Sequence, residues 1–201
     1  YRESEKLRRE ALNYATTYVA TLQASRSPDN IDLRVARDNL TGRKRGLAGI
    51  LATQGKLGEA EVLARQALQE TLSRSSRNTL SAARAIAMLS TIRLQQGMVA
   101  DALQLREESL AALEGASVKP YSTLLADMRA QKGFLLEAQG RWKEALQTFE
   151  LRDQGLRSNP EQFRKTGSRH ANWAVALLMN GRQQRSEEHT SELQSLSRNS
   201  Y

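Results

Sequence analysis

Gly55 to Leu68 reads Gly-Lys-Leu-Gly-Glu-Ala-Glu-Val-Leu-Ala-Arg-Gln-Ala-Leu, and the rest of the chain lines up on it. Before it stands the apolar run Leu47-Ala-Gly-Ile-Leu-Ala-Thr-Gln54. Together they predict a helix, a tight glycine turn and a second helix, because glycine supplies the left-handed backbone that ends a helix at no steric cost. The design recurs at Gln96-Gly97, Gln139-Gly140 and Asn180-Gly181, with the turn glycines 42, 43 and 41 residues apart. A fixed period of that size marks a helical solenoid.

Five residues after each of the first three turns comes an alanine, Ala60, Ala102 or Ala145, small enough to let paired helices lie close. Leu47 and Leu51, Leu89 and Ile92, and Leu135 and Leu136 carry the apolar face before each turn. Leu63, Ala67 and Leu68, then Leu103, Leu105 and Leu110, then Leu146 and Phe149 carry it afterwards. One hairpin cannot cover its own apolar face, so the repeats must stack. The pattern resembles the tetratricopeptide repeat (TPR) family in a form of about 42 residues per repeat. Gly133, the run Trp142-Lys-Glu-Ala-Leu146 and Phe149 make the third repeat the best match, while Ala48 and Ser90 stand where that family often has glycine. The resemblance implies an all-α, right-handed superhelical solenoid of antiparallel helix hairpins.

The expected organisation assigns 1–30 to the second helix of a preceding repeat plus a connector. It assigns 31–78, 79–121 and 122–159 to three full repeats, and 160–184 to the first helix of a fourth. The first helix carries a stripe of Leu7, Ala11, Tyr14, Ala15, Tyr18, Val19 and Leu22. Asp29 or Asn30, Ser76 or Asn78, and Ser122 are the expected N-caps. Gly42, Gly46 and Gly49 weaken the helix over 32–54 and predict bending or a break near Thr41-Gly42, and Gly155 is expected to end a helix.

Arg185 to Ser195 reads Arg-Ser-Glu-Glu-His-Thr-Ser-Glu-Leu-Gln-Ser, which looks like the forward translation of a widely used short-read sequencing adapter. The fifth residue after Gly181 is Ser186, so the alanine period fails where that string begins. Residues 185–201 are therefore expected to be non-native and to lie disordered or as a loose helix. The natural protein would then continue past Gln184, leaving an apolar end through which the fragment self-associates.

Composition narrows the function. The 201 residues contain no cysteine, which excludes disulfides, thiolate metal sites and a cysteine nucleophile within this sequence. His170, the one histidine outside the adapter-like string, sits by Trp173 on an apolar face and reads as a packed structural residue. Neighbouring carboxylates at Glu59 and Glu61, and at Glu107 and Glu108, read as solvated helix faces. No catalytic, metal-ligating or cofactor-binding set emerges, and the expectation is a non-enzyme without cofactors. No apolar run is long enough for a membrane span, and a cytoplasmic location is expected.

The net charge of +8 admits an acidic peptide or nucleic acid as partner, but the cations are scattered over every repeat. In such arrays the first helix of each repeat lines the binding groove. Helical phase places Arg45, Arg84, Thr91 and Gln95, then Asp127, Phe134 and Glu137, on that face. The TPR subfamily that grips acidic chaperone tails uses paired Lys and Asn there, and Gly49 and Ala87 take those places here. The leading expectation is a scaffold that binds a peptide or an adjacent domain. One alternative is the regulatory repeat region of a larger bacterial protein with a downstream caspase-like CHAT protease domain. It rests on the likeness of the Gly140 turn and the Asn172 to Gly181 stretch to such arrays. A nucleic-acid-binding helical repeat is the second alternative.

Overall fold

In the computed structural model every element among the described residues is a helix. The structure describes residues 2–161, 163 and 171–198, the last seven of these as backbone. The chain forms two compact units, Tyr1–Ala112 and Leu113–Tyr201.

In the first unit α1 (Arg2–Ser25) packs on α2 (Ile31–Thr53), α2 on α3 (Leu57–Leu72), and α3 on α4 (Leu80–Gln95). α5 (Val99–Gly115) follows, and its last turn belongs to the second unit. There α6 (Thr123–Ala138) packs on α7 (Trp142–Arg157), α7 on α8 (Ala171–Met179), and α8 on α9 (Gln183–Arg198). Packing thus runs chiefly between neighbours in sequence, with α2 also meeting α4 and α6 meeting α8, as hairpins that cannot bury a core alone require.

The four turns share one geometry. Gly55, Gly97, Gly140 and Gly181 have φ of +76°, +79°, +71° and +72°. The next amide reaches back to the helix it has just left, from Lys56 to the Leu51 carbonyl, Met98 to Arg93, Arg141 to Leu136 and Arg182 to Leu177, each at 2.9 Å. This six-to-one bond satisfies a carbonyl that the helix end would otherwise orphan. Ala60, Ala102 and Ala145 are fully buried, so the helices close on them as expected.

Other local expectations are corrected. α2 runs unbroken through Gly42, Gly46 and Gly49, because packing on α1 and α3 outweighs the weak propensity of glycine. Gly46 makes room for a neighbour, whereas Gly49 would hold a Cβ at ordinary contact distance. A Cβ on Gly46 would lie 2.6 Å from the Arg8 guanidinium, and one on Gly49 would lie 3.5 Å from Met88 Cε. Gly155 does not stop α7. It is buried inside the helix, where a Cβ would come within 2.6 Å of the Pro120 carbonyl oxygen. The cap of α4 is Thr79, whose Oγ1 accepts from Ala82 N, while Asn30 caps α2 as expected. Ser122 holds the N-cap position of α6 without a side-chain bond. On α1 only Ala15 and Val19 are buried, and Leu7, Tyr14 and Tyr18 point to solvent with the two tyrosine rings stacked.

The end of the chain also departs from expectation. Residues 183–198 form α9, which packs on α8. Ser186 is buried in the place of the earlier alanines, and its Oγ donates to the Ala174 carbonyl at 2.8 Å. The His189 ring lies 4.7 Å from that of Trp173. Ser186 is small enough for the close approach, and its hydroxyl finds an acceptor, so the loss of alanine does not stop the helix from docking. Val175, Leu178 and Met179 of α8 remain exposed. His170 lies outside the described residues.

Candidate functional site

Helices α2 and α4 are packed against each other in the first unit, and they carry four of the seven residues that helical phase assigns to the binding face. Arg45 is half-buried and folds back along α2. A Cβ on Gly42 would lie 3.7 Å from its Nη2, and its Nη1 donates to the Ser81 carbonyl of α4 at 3.2 Å. Arg84 stands one turn beyond Ser81 on α4 and is exposed. Burial, and then the charge of Arg84, lower the Arg45 pKa, while Asp38 opposes them. Arg45 and Arg84 thus lie on two helices that pack together. Gln95 is exposed about three turns further along α4.

Thr91 is used internally. Its hydroxyl donates to the Ala87 carbonyl at 3.1 Å and accepts from Arg106 Nη2 at 3.3 Å. Arg106 comes from α5, is 3 % exposed, and also donates to the Ala87 carbonyl. Burial pushes its pKa down to about 10.

In the second unit Asp127 is exposed and acts electrostatically on the buried Arg152 of α7. Phe134 is 45 % exposed, large for an aromatic ring in a chain with few of them. Glu137 is buried, and Asn172 of α8 donates to its Oε2 at 2.7 Å. Loss of hydration raises the Glu137 pKa against the smaller, lowering effect of Asn172. Its carboxylate joins two helices instead of facing solvent.

Sequence reasoning missed Arg106, although an arginine within the apolar stripe Leu103–Leu110 is itself a signal that its head must find oxygen atoms. It also read Glu59, Glu61 and Glu108 as merely solvated. Glu59 pairs with Arg9 of α1 at 2.8 Å, and Glu108 with Arg77 at 2.5 Å. Glu61 accepts from Arg65, from Arg93 and from Gln96, which ties α3 to α4. No group of three or more potential metal-ligating side chains occurs among the described residues.

No protein-family model matches the chain, and no curated protein matches it in sequence. Solved structures do match. BtubC from P. vanneervenii superposes with a TM-score of 0.71 at 20 % identity, covering 100 % of this chain and 75 % of that one. A kinesin light chain with nearly identical TPR-like repeats from Podosopora anserina gives 0.64 at 17 % identity, covering 99 % and 95 %. MamA gives 0.55 at 13 % identity, covering 93 % and 90 %. The fold is that of the TPR-like helical repeats. No helix among the described residues is long and apolar enough to cross a membrane.

Proposed function

We propose that this chain is a non-enzymatic protein-interaction scaffold that holds an extended peptide, or a segment of a neighbouring domain, on its first-helix faces. The observation that carries the reading is the α2–α4 face of the first unit. Arg45, half-buried, reaches from α2 to the Ser81 carbonyl of α4, Arg84 is exposed on α4, and the small residue Gly49 lies on α2. Small residues let a peptide backbone approach, and fixed polar groups give it register. In the second unit Phe134 offers an exposed ring of the kind that anchors partners.

Selection from an unbiased displayed peptide library on the purified chain tests this. Peptides are expected to be enriched that compete with one another and lose binding to Arg84→Glu or to Phe134→Ala. If no peptide is enriched, or if the enriched ones bind both variants as well as the parent, the proposed face is not a peptide site.

A further inference from the structure

We infer that α1 pairs with α1 of a second copy of this chain, antiparallel, through the face that carries Leu7, Ala11, Tyr14 and Tyr18. This contact is separate from the peptide face proposed above. α1 has two apolar seams. Leu12, Ala15, Val19 and Leu22 pack into the core of the first unit. Leu7, Tyr14 and Tyr18 are exposed, and Ala11 between them is half-buried. Arg9 marks the side of α1 that meets α3, because it pairs with Glu59. At 100° per residue the exposed seam lies roughly half a turn round the helix from Arg9, so it faces away from α3.

The spacing of this seam fits a helix and, more narrowly, a copy of itself. Leu7, Ala11, Tyr14, Tyr18 and Thr21 follow one another by four, three, four and three residues, the alternation of a coiled-coil seam. An antiparallel copy sets Tyr18 against Leu7, Tyr14 against Ala11 and Thr21 against Ser4. All three pairs share one midpoint, between Ala11 and Tyr14, so a single two-fold axis satisfies them. A parallel copy would put tyrosine on tyrosine and alanine on alanine, which matches volumes poorly. The charges beside the seam, Arg8 and Glu10, lie on opposite edges, and the antiparallel register brings Glu10 to Thr17 and not to a second carboxylate. Thr21 adds little polarity, since its hydroxyl donates to the Thr17 carbonyl at 3.0 Å. The rings of Tyr14 and Tyr18 are already stacked, 6.3 Å apart and 3° from parallel, so docking costs them little freedom.

Other exposed helix faces lack this pattern. α5 exposes Asp101, Gln104 and Glu107, and α7 exposes Lys143, Glu144 and Gln147 with Leu151 as its one large apolar residue. α8 exposes Val175, Leu178 and Met179, but its nine residues are too short for a repeated seam. A contact along one helix about 36 Å long is modest beside the roughly 1,600 Å² of a standard stable interface, so the dimer is concentration-dependent and not obligate.

The test is sedimentation equilibrium of the full chain from about 1 µM to about 200 µM, the range over which a weak dimer forms. The mass is expected to rise from one chain towards two. Tyr14→Glu with Tyr18→Glu should weaken association by about tenfold or more, because unpaired charge would be buried at the seam. Both side chains are exposed in the single chain, so the far-ultraviolet helical signal should hold. Leu7→Glu should act in the same direction, and Val62→Glu, exposed on α3, should leave association unchanged. The chain has no cysteine, so introduced thiols report the register. Ser4→Cys mixed with Thr21→Cys should be joined by a short bismaleimide. Thr21→Cys alone should not, since the two copies of that position lie about 25 Å apart along an antiparallel pair. A mass of one chain throughout, association that survives the glutamate variants, loss of association through Leu178→Glu instead, or cross-linking of Thr21→Cys alone would overturn the inference.

Discussion

Gly133 of α6 and Phe149 of α7 contend for one volume. A Cβ built on Gly133 would lie 2.5 Å from the Cζ of Phe149, whose side chain is 1 % exposed. The glycine is the space into which the ring fits. The same register positions, sixteen residues apart, hold Ala48 and Ala64 in the first repeat, both fully buried, and Ser90 and Arg106 in the second. Side-chain volume is thus divided differently in each repeat between a first-helix and a second-helix position. Interiors at crystal-like density need such matching.

Gly133→Ala tests that division. An exposed helical glycine gains about 1 kcal/mol on becoming alanine, so helix propensity alone predicts a more stable protein. Overpacking against Phe149 opposes this at about 1–3 kcal/mol, and the expected outcome is net destabilisation. Urea denaturation reads it. Phe149→Leu introduced with Gly133→Ala should recover part of the loss, and a midpoint that rises in the single variant would mean that the ring has room to move.

Arg106 gives a second prediction of opposite sign. Its guanidinium is buried with only the Ala87 carbonyl and the Thr91 hydroxyl, both at 3.3 Å, as hydrogen-bond acceptors. No carboxylate compensates the charge, and burial lowers its pKa to about 10, so it still enters the fold charged at neutral pH. Arg106→Met keeps an unbranched chain in the same space and removes the desolvation penalty. It should be neutral or stabilising by up to about 3 kcal/mol. Arg106→Ala leaves a cavity as well and should destabilise. If both substitutions cost the same, the guanidinium and not the packing is what the site requires.

The acid limb of the stability curve should report Glu61. Its carboxylate accepts from Gln96 Nε2 at 2.8 Å, then from Arg65 and Arg93, and these bonds lower its pKa in the folded state. A carboxylate with a depressed folded pKa contributes stability above its ordinary value of 4.5 and loses it as pH falls through the lower folded one. Glu61→Gln should therefore lower stability at pH 7, by about 1 kcal/mol after allowance for solvent screening. The gap to the parent should close below pH 4.5. Glu137 behaves in the other direction. Its folded pKa is raised, so ionisation penalises the fold as pH rises above 4.5, and Glu137→Gln should gain most at neutral pH. Thermal melts across pH 3 to 8 separate the two.

The turn glycines and the buried alanines were legible in the sequence because each meets a demand that few residues satisfy. Gly55, Gly97, Gly140 and Gly181 adopt positive φ, and Ala60, Ala102 and Ala145 sit where helices touch. Gly42 and Gly155 misled for the converse reason. Glycine weakens a helix by itself, but at Gly155 the Pro120 carbonyl needs its missing Cβ, and tertiary contact wins over propensity. The binding face was legible only as a phase. Helical period says which way a residue points and not whether another helix covers it. Arg84 and Phe134 are open, whereas Asn172 of α8 closes over Glu137 and Arg106 of α5 takes up Thr91.

The last prediction concerns α9. Ser90 and Ala102 form the corner of the second repeat, with Ser90 Oγ donating to the Ala102 carbonyl at 2.7 Å. In the fourth repeat the corresponding residues are Ala174 and Ser186, and the bond is kept with donor and acceptor exchanged between the helices, Ser186 Oγ to Ala174 carbonyl. The hydroxyl is satisfied from either side, which lets an adapter-like sequence dock where an alanine-bearing helix is expected. Trp173 depends on that docking, since it is 7 % exposed with the His189 ring 4.7 Å away. In a Trp142→Phe background, which leaves Trp173 as the one tryptophan, deleting residues 185–201 should shift its emission to longer wavelength and lower the helical signal. His189→Ala should give a smaller shift with the helix intact. If the deletion leaves the spectrum unchanged, α9 does not cover Trp173 in solution.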